Sequence, residues 1–404
     1  MMSAMLTVED AQARVMAEVT PLGVETVAFD GAVGRVLRED VIAPADAPES
    51  DNSAMDGYAV RADDIAGAPA RLRVIGTIPA GHLATARVEP GTAMRIMTGA
   101  YVPEGADTVV QVELTDGGLE EVAVQNALAR GTNIRRRGED MRAGDVVLRR
   151  GTRAGAAEVA MLAGVRKRVV QAGIRPTVAI LSTGDELVDV DAARTPETIV
   201  NTNGPLLAAL VRDAGAIPRP LGIVRDTREA TVAALDAAAT SDFILTSGGV
   251  SVGAFDFVKD ALEALGAETK FWKVAMKPGK PVVLSRLRDS VCFGLPGNPV
   301  SCFVSFHLFV APALRKAAGQ EGELFPPAVR ARLTAPLRAA VDRRVYFRVR
   351  VTARDGELIA QPLATQGSGS LTSMIGANGL AVVEAGTSAA AGTDIPTLLI
   401  APIS

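Results

Sequence analysis

The stretch that most restricts the fold runs from Asp242 to Pro299. A β-branched and aromatic run, Asp242–Thr246, enters a glycine-rich loop at Ser247–Gly253. The spacing then predicts a helix, with apolar residues at Phe257, Val258, Ala261, Leu262 and Leu265 and a stop at Gly266. Strand, loop and helix in this order form the unit that builds parallel sheets. Two more special loops follow at short range, Lys277-Pro278-Gly279-Lys280-Pro281 and Gly294-Leu295-Pro296-Gly297-Asn298-Pro299. In an open α/β sheet such loops gather at the carboxyl edge of the strands, where ligands bind. Glycines let backbone N–H groups approach an anion, and a helix N-terminus adds positive potential. Lys277 and Lys280 add full charges.

The same alternation extends to both sides. Thr177–Leu181 reads as a strand entering Ser182-Thr183-Gly184-Asp185-Glu186, and Pro205–Ala214 as a helix stopped by Gly215. Ile217–Val224 reads as a strand ending in Arg225-Asp226-Thr227, Arg228–Ala239 as a helix, and Val300–Ala318 as a long apolar helix. Residues 177–319 are therefore expected to form a doubly wound, mostly parallel sheet. From Arg71 to Arg150 the pattern changes to short β runs broken by Gly, Pro and Asp, expected to be barrel-like or sandwich-like. After Pro326 short strands return as a small C-terminal β domain. Near the start, Thr7-Val8-Glu9-Asp10 looks like the opening of an amphipathic helix.

Composition removes several function classes. The net charge is −4 and aromatics make up only 4%, which argues against a nucleic-acid binder. The two cysteines, Cys292 and Cys302, sit in apolar stretches, so a reducing cytoplasm fits better than a disulfide framework. The only histidines are His82 and His307, which leaves no histidine-rich zinc site. A metal, if used, must take mostly oxygen ligands, which points to Mg²⁺ or a similar hard cation. The start lacks a signal-peptide pattern, and the apolar run Ser301–Leu314 is too short for a membrane span.

Placing each loop at the end of its strand brings Asp185, Glu186, Asp226, Asp256, Lys277 and Lys280 towards one crevice. Carboxylates beside lysines and glycine loops suit a Mg²⁺-bridged phosphate or pyrophosphate. Plainer explanations stand beside this one: Asp256 or Asp226 could cap the helix it precedes, and Lys273 could be a solvated strand residue. No Gly-x-x-x-x-Gly-Lys-Ser/Thr loop occurs. Gly249-Val250-Ser251-Val252-Gly253 matches a hydrolase nucleophile elbow in form. However, Ser251 lies several residues beyond the strand, and His307 sits in an apolar helix where packing is its simpler role.

Several further motifs occur in a fixed order: Asp51-Asn52-Ser53-Ala54-Met55-Asp56-Gly57-Tyr58-Ala59, Arg95-Ile96-Met97-Thr98-Gly99-Ala100, Arg137-Gly138-Glu139-Asp140 and Ser182-Thr183-Gly184-Asp185-Glu186-Leu187. They are followed by Thr246–Gly253, the Lys277 and Gly294 loops, Gln366-Gly367-Ser368-Gly369-Ser370-Leu371 and Ala377-Asn378-Gly379-Leu380. Together they resemble the MoeA family of molybdopterin molybdenumtransferases, which includes the E domain of gephyrin. The resemblance covers essentially the whole chain. It implies a multidomain α/β protein: a pterin-nucleotide domain (1–24 and 173–325), a linking and dimerisation domain (25–43 and 141–172), a β-rich insertion (44–140) and a C-terminal β-barrel (326–404).

The implied activity is insertion of molybdenum from molybdate into adenylylated molybdopterin, with Mg²⁺-dependent release of AMP, by a cytoplasmic homodimer. A contact with the molybdopterin adenylyltransferase is also implied, and neither nucleic acid nor membrane is expected as a partner. Carried over by motif, Asp56, Thr98 and Asp140 would act from the insertion, with Arg135 beside them. Glu186, Asp226 and Asp256 would be the catalytic acids and metal ligands of the α/β cleft. Substrate would be held by Ser247, Gly248, Gly249 and Ser251, by Lys273, Lys277 and Lys280, by Pro296 and Pro299, and by Arg348. The sequence departs from the family pattern at Tyr101, Ala254-Phe255 and Ser285 and in the glycine-poor link from Leu187 to Asn201, which bears on loop shape around Asp256. A stand-alone adenylyltransferase would lack the insertion and barrel, and a pure scaffold would not need the acids and lysines.

Overall fold

A computed structural model describes residues 5–193, 195–249 and 257–403. The expectations placed on Ser251 and Asp256 lie outside the described residues. Contacts divide the chain into two units: Met1–Glu39, Arg150–Ala156 and Val169–Ser404 form one, and Asp40–Arg149 with Ala157–Arg168 the other.

The first unit is organised by a six-stranded sheet. Helix α1 (Val8–Glu18) precedes strand β1 (Thr177–Thr183), helix α2 (Asn203–Asp213), β2 (Ile217–Val224), α3 (Arg228–Ala238) and β3 (Phe243–Ser247). Then come α4 (Phe257–Ala264), β4 (Glu268–Phe271), β5 (Val283–Leu287), β6 (Ser290–Leu295) and a helix, α5, over Pro299–Ala317. The strand order is β2-β1-β3-β6-β5-β4. The pairs β1–β2, β1–β3 and β3–β6 are parallel, whereas β5 and β4 add antiparallel. Central strands β3 and β6 are buried at every residue, as a parallel sheet covered on both faces requires. Edge strand β2 is mostly exposed and carries Pro218 and Pro220, which an edge tolerates.

Two cores confirm the double winding. Val15 of α1, Leu207 and Val211 of α2 and Phe309 of α5 pack with Val178, Ile180 and Phe293. On the opposite face Leu235 of α3 and Val258 and Leu262 of α4 pack with Leu181, Ile244 and Cys292. Helix α1 begins as its sequence predicts: the Thr7 side chain accepts the Asp10 N–H at 3.0 Å. Among the described residues, α5 alone has the length and composition to cross a membrane, and 89% of it is buried inside the protein, as a core helix is.

The C-terminal part closes into a barrel. Strands β7 (Ala328–Leu333), β8 (Arg344–Arg354), β9 (Glu357–Pro362), β10 (Gly379–Val383) and β11 (Asp394–Leu399) run in the order β8-β9-β7-β11-β10, and β10 pairs back to β8. Strand β9 joins β8 to β7, so the barrel cannot close without it. Its sequence, Glu-Leu-Ile-Ala-Gln-Pro, is short and follows the charged turn Arg354-Asp355-Gly356.

The second unit holds a five-stranded mixed sheet of Thr108–Gln111, Gly57–Val60, Thr92–Ile96, Ala70–Ile78 and Glu121–Val124, in that order. Tyr58, Ile65, Leu72, Val110 and Val122 form its core, and the Tyr58 hydroxyl donates to Gly118 O at 2.9 Å. Among the described residues its two outer strands do not pair with each other, so the sheet curls without closing.

Candidate active-site cleft

Four parallel strands end at one edge, and each delivers a loop. After β1, Gly184 turns the chain with φ of 151°, and a Cβ there would lie 2.8 Å from both Glu186 carboxylate oxygens. After β2, the Asp226 N–H donates to Asp185 Oδ1 at 3.1 Å. Desolvation, and then the charges of Asp185 and Glu186, push the Asp226 carboxyl above its ordinary range. The two strand ends therefore crowd three carboxylates. The helix after β2 is capped by Thr227, whose hydroxyl accepts the Ala230 N–H at 3.2 Å. Asp226 is thus not the cap, which removes one of its plainer roles.

After β3, Gly248 and Gly249 take φ of 91° and 62°. A Cβ at Gly248 would lie 2.6 Å from Thr183 O, so only glycine lets the two strand ends approach. After β6, Pro296 and Gly297 lead into α5; Asn203 at the start of α2 donates to Gly297 O at 2.7 Å. These loops border a cleft of about 900 Å³. Its described lining contains Glu186, Asp226, Ser247, Gly248, Gly249, Pro296 and Pro299, all anticipated from sequence.

The structure adds contributors that the sequence reading missed. Thr183 and Asn203 line the cleft, and Thr183 Oγ1 and Asn203 Oδ1 are buried without a partner. Unpaired buried acceptors and hydroxyls are costly, and a ligand would satisfy them. Gly369 and Leu371 reach the cleft from the barrel, where Ser368 accepts from Asn298 Nδ2 at 3.2 Å and from the Val300 N–H at 3.1 Å.

Other anticipated residues are placed differently. Lys273 and Lys280 are half-buried and Lys277 exposed, with no ion pair among the described residues; none lines the cleft, although Pro281 does. Met276–Lys277 pairs with Arg344 and Val345 at the start of β8. Ser247 is 2% exposed, and its hydroxyl donates to Ser182 Oγ at 3.3 Å. Arg348 does not reach the described lining. It is 1% exposed, and Nη2 donates to Thr365 O, Gly367 O and Ser373 Oγ at 3.4, 3.3 and 3.1 Å. It therefore braces the loop that carries Gly369 and Leu371, while its Nε is buried with no partner. His307 packs edge-on against Phe303 at 4.7 Å between ring centres, and burial pushes it down to about 4, the packed role expected for it.

In the second unit, Asp56 Oδ1 accepts the Thr98 N–H at 2.6 Å and the Thr98 hydroxyl at 2.8 Å. These bonds, the backbone one first, hold Asp56 below the usual carboxylate range. Arg135 pairs with Asn52 in a short ladder and is exposed, as is Asp140. Their neighbours are tightly paired: Arg136 with Asp51 and Arg137 with Asp46, each at 2.6 Å.

Comparison with known proteins places this architecture in a class, the MoeA-type proteins of molybdenum cofactor biosynthesis. Residues 6–165 match the MoeA N-terminal region (domain I and II), 179–316 a probable molybdopterin binding domain, and 330–400 the MoeA C-terminal region (domain IV). The chain is 37% identical to the molybdopterin molybdenumtransferase of Bacillus subtilis, over 93% of this chain and 90% of that protein. It is 40% identical to molybdopterin molybdenumtransferase 2 of Mycobacterium tuberculosis, over 92% and 93% respectively. A crystal structure of a molybdopterin biosynthesis MoeA protein from Pyrococcus horikoshii OT3 superimposes with a TM-score of 0.82 at 29% identity, covering 98% of this chain and all of that one. The chain belongs to the molybdopterin molybdenumtransferase family and is a transferase.

Proposed function

We propose that the chain transfers molybdenum from molybdate into adenylylated molybdopterin, releasing AMP in a Mg²⁺-dependent step. The observation that carries this reading is the crowding of Glu186, Asp185 and Asp226 beside the Ser247-Gly248-Gly249 loop at the edge of a parallel sheet. Burial, and then the charges of Asp185 and Glu186, raise Asp226; the described residues alone form no cluster of three metal-ligating side chains, so a hard divalent cation there would take its further oxygen donors from Asp256 and from the phosphates. Glu186 and Asp226, with Asp256, would hold Mg²⁺. Bound there, it would neutralise charge on the phosphoanhydride oxygens.

The chain's own groups supply orientation. Gly248 and Gly249 allow backbone to approach phosphate oxygens. The unpartnered Thr183 and Asn203 oxygens give the pterin nucleotide fixed contacts. Lys277 and Lys280 lie off the described lining, and their ammonium groups, with no ion pair among the described residues, would have to reach in to hold a tetrahedral dianion; Arg348 would act through the loop it braces. Asp56, held ionised by Thr98, and Asp140 with Arg135 contribute from the insertion. The buried free thiols Cys292 and Cys302 fit action in the cytoplasm. Self-association as a homodimer is part of the same reading and is carried by the family resemblance alone. The adenylyltransferase that makes the substrate is a natural contact for transfer between the two enzymes.

The test is AMP release from adenylylated molybdopterin by the purified protein, with and without molybdate. Release that requires molybdate and stops on adding EDTA is expected. Tight nucleotide binding with no release in any condition would overturn the reading.

A further inference from the structure

Away from the cleft, a second cavity is walled by arginine. Arg35, Arg153, Arg175 and Arg315 surround it, with Gly173 and Gly215 completing the near wall. Of the four, only Arg35 has a carboxylate partner among the described residues, Glu25. Arg153 Nη2 donates to Asp213 O at 3.4 Å, Arg175 Nη2 to Val33 O at 3.3 Å, and Arg315 Nη1 to Leu324 O at 2.6 Å. These are backbone carbonyls and cancel no full charge.

The plain explanation is that arginines here cap helix C-termini. Arg153 reaches the end of α2, and Arg315 lies in the last turn of α5. Each helix end carries about half a negative charge, so two ends and Glu25 still leave roughly two positive charges uncompensated. A second observation points to a missing acceptor. Arg35 is 8% exposed, and its Nε and that of Arg175 are buried without a partner. Burial first, and the Arg153 charge second, hold the Arg315 guanidinium below its ordinary range.

We propose that this arginine cavity binds one small inorganic anion of the size of chloride. Size makes the choice: the cavity measures about 10 Å³, close to the least that accommodates a single water. A halide, larger than a water, enters as the exposed Arg153 side chain swings outward, whereas a phosphate tetrahedron needs several such volumes. Glycine sets the walls, since a Cβ at Gly215 would lie 3.5 Å from Arg153 Nη2 and one at Gly173 only 2.0 Å from Ala318 O. The anion would tie five segments distant in sequence, at 34–36, 153, 173–175, 214–215 and 315–320, without touching the cleft.

The test uses the intact protein. Thermal unfolding is followed as chloride replaces gluconate at constant ionic strength, and a crystal is soaked in bromide for an anomalous difference map. Expected are a midpoint that rises with chloride and a bromide peak between Arg153 and Arg315. Arg153→Gln, at an exposed position, weakens the chloride dependence about tenfold, the loss of one charge-assisted contact. Arg315→Gln does the same if Arg153→Gln folds poorly. Equal midpoints in chloride and gluconate with no bromide peak would overturn the proposal. Stabilisation by phosphate but not chloride would overturn it too, because the size argument would then fail.

Discussion

Two acidic regions of this molecule treat their charges in opposite ways. In the insertion, Asp46, Asp51 and Asp56 each accept hydrogen bonds from backbone and side-chain donors, and all three are held below the usual carboxylate range. In the cleft, Asp226 is pushed above it by desolvation and by Asp185 and Glu186. The first region has answered its charges internally, and its geometry is complete as it stands. The second gathers like charges in a desolvated cleft, with no ion pair to Asp185, Glu186 or Asp226 among the described residues. A strained carboxylate in a large cleft is a better pointer to chemistry than a satisfied one.

The comparison breaks most visibly at Asp226. Asp226→Asn should lower molybdate-dependent AMP release on the order of a hundred- to a thousandfold, the scale of losing one charge-stabilising group. It should leave the metal-free thermal midpoint equal or higher, because the substitution removes repulsion. A fall in both activity and midpoint would mean that Asp226 is structural. His307 supplies the control, as a strongly shifted group outside the cleft lining. Burial lowers its folded value to about 4 from 6.5, so the unfolded chain takes up a proton before the folded one does. Stability from this source is full above pH 6.5 and is lost as pH falls towards 4, by roughly 3 kcal/mol. His307→Leu should flatten that loss in denaturant titrations and leave turnover within about threefold. Unchanged acid sensitivity would place the lability elsewhere.

Much of this was readable in the chain because parallel strands announce themselves as apolar runs ending in glycine loops. Ile217–Val224 is a strand with the expected limits, and Glu186, Asp226, Gly248 and Pro296 lie at the predicted edge. What escaped had a tertiary cause. One exception is local: the turn between β5 and β6 is Arg288-Asp289, with Arg288 in the left-handed region at φ of 54°, and it carries no glycine signal. Gly369 and Leu371 reach the cleft from a loop far along the chain. Arg348 lies in a strand of alternating charge and looks exposed until the barrel closes over it. Ser285, one of the departures from the family pattern, is buried and lies 3.2 Å from the Thr269 hydroxyl across β4–β5. The side-chain oxygens left unpaired at Thr183 and Asn203 could not be counted before their surroundings were known.

Arg348 stands between the two modes, a buried cation that braces a cleft-lining loop. Arg348→Met should cost on the order of 2 kcal/mol, as Thr365 O, Gly367 O and Ser373 lose their donor. It should also raise hydrogen exchange across 365–373 and raise KM before kcat. Exchange unchanged in that loop would show that the barrel holds it without the arginine.

The smallest expected effect is in the insertion. Asp56→Asn retains a carbonyl oxygen that can accept both Thr98 donors, so the turn survives while the charge goes. If Asp56 acts through its charge in the transfer step, turnover falls about tenfold with the Thr98 amide exchange rate unchanged. If its work is to hold the turn, Asp56→Asn keeps near-normal turnover, and Asp56→Ala loses turnover and amide protection together. The first pattern is expected, because an exposed carboxylate held below the usual range by its hydrogen bonds gives the insertion a fixed negative charge that a hydrogen-bonded turn alone would not need.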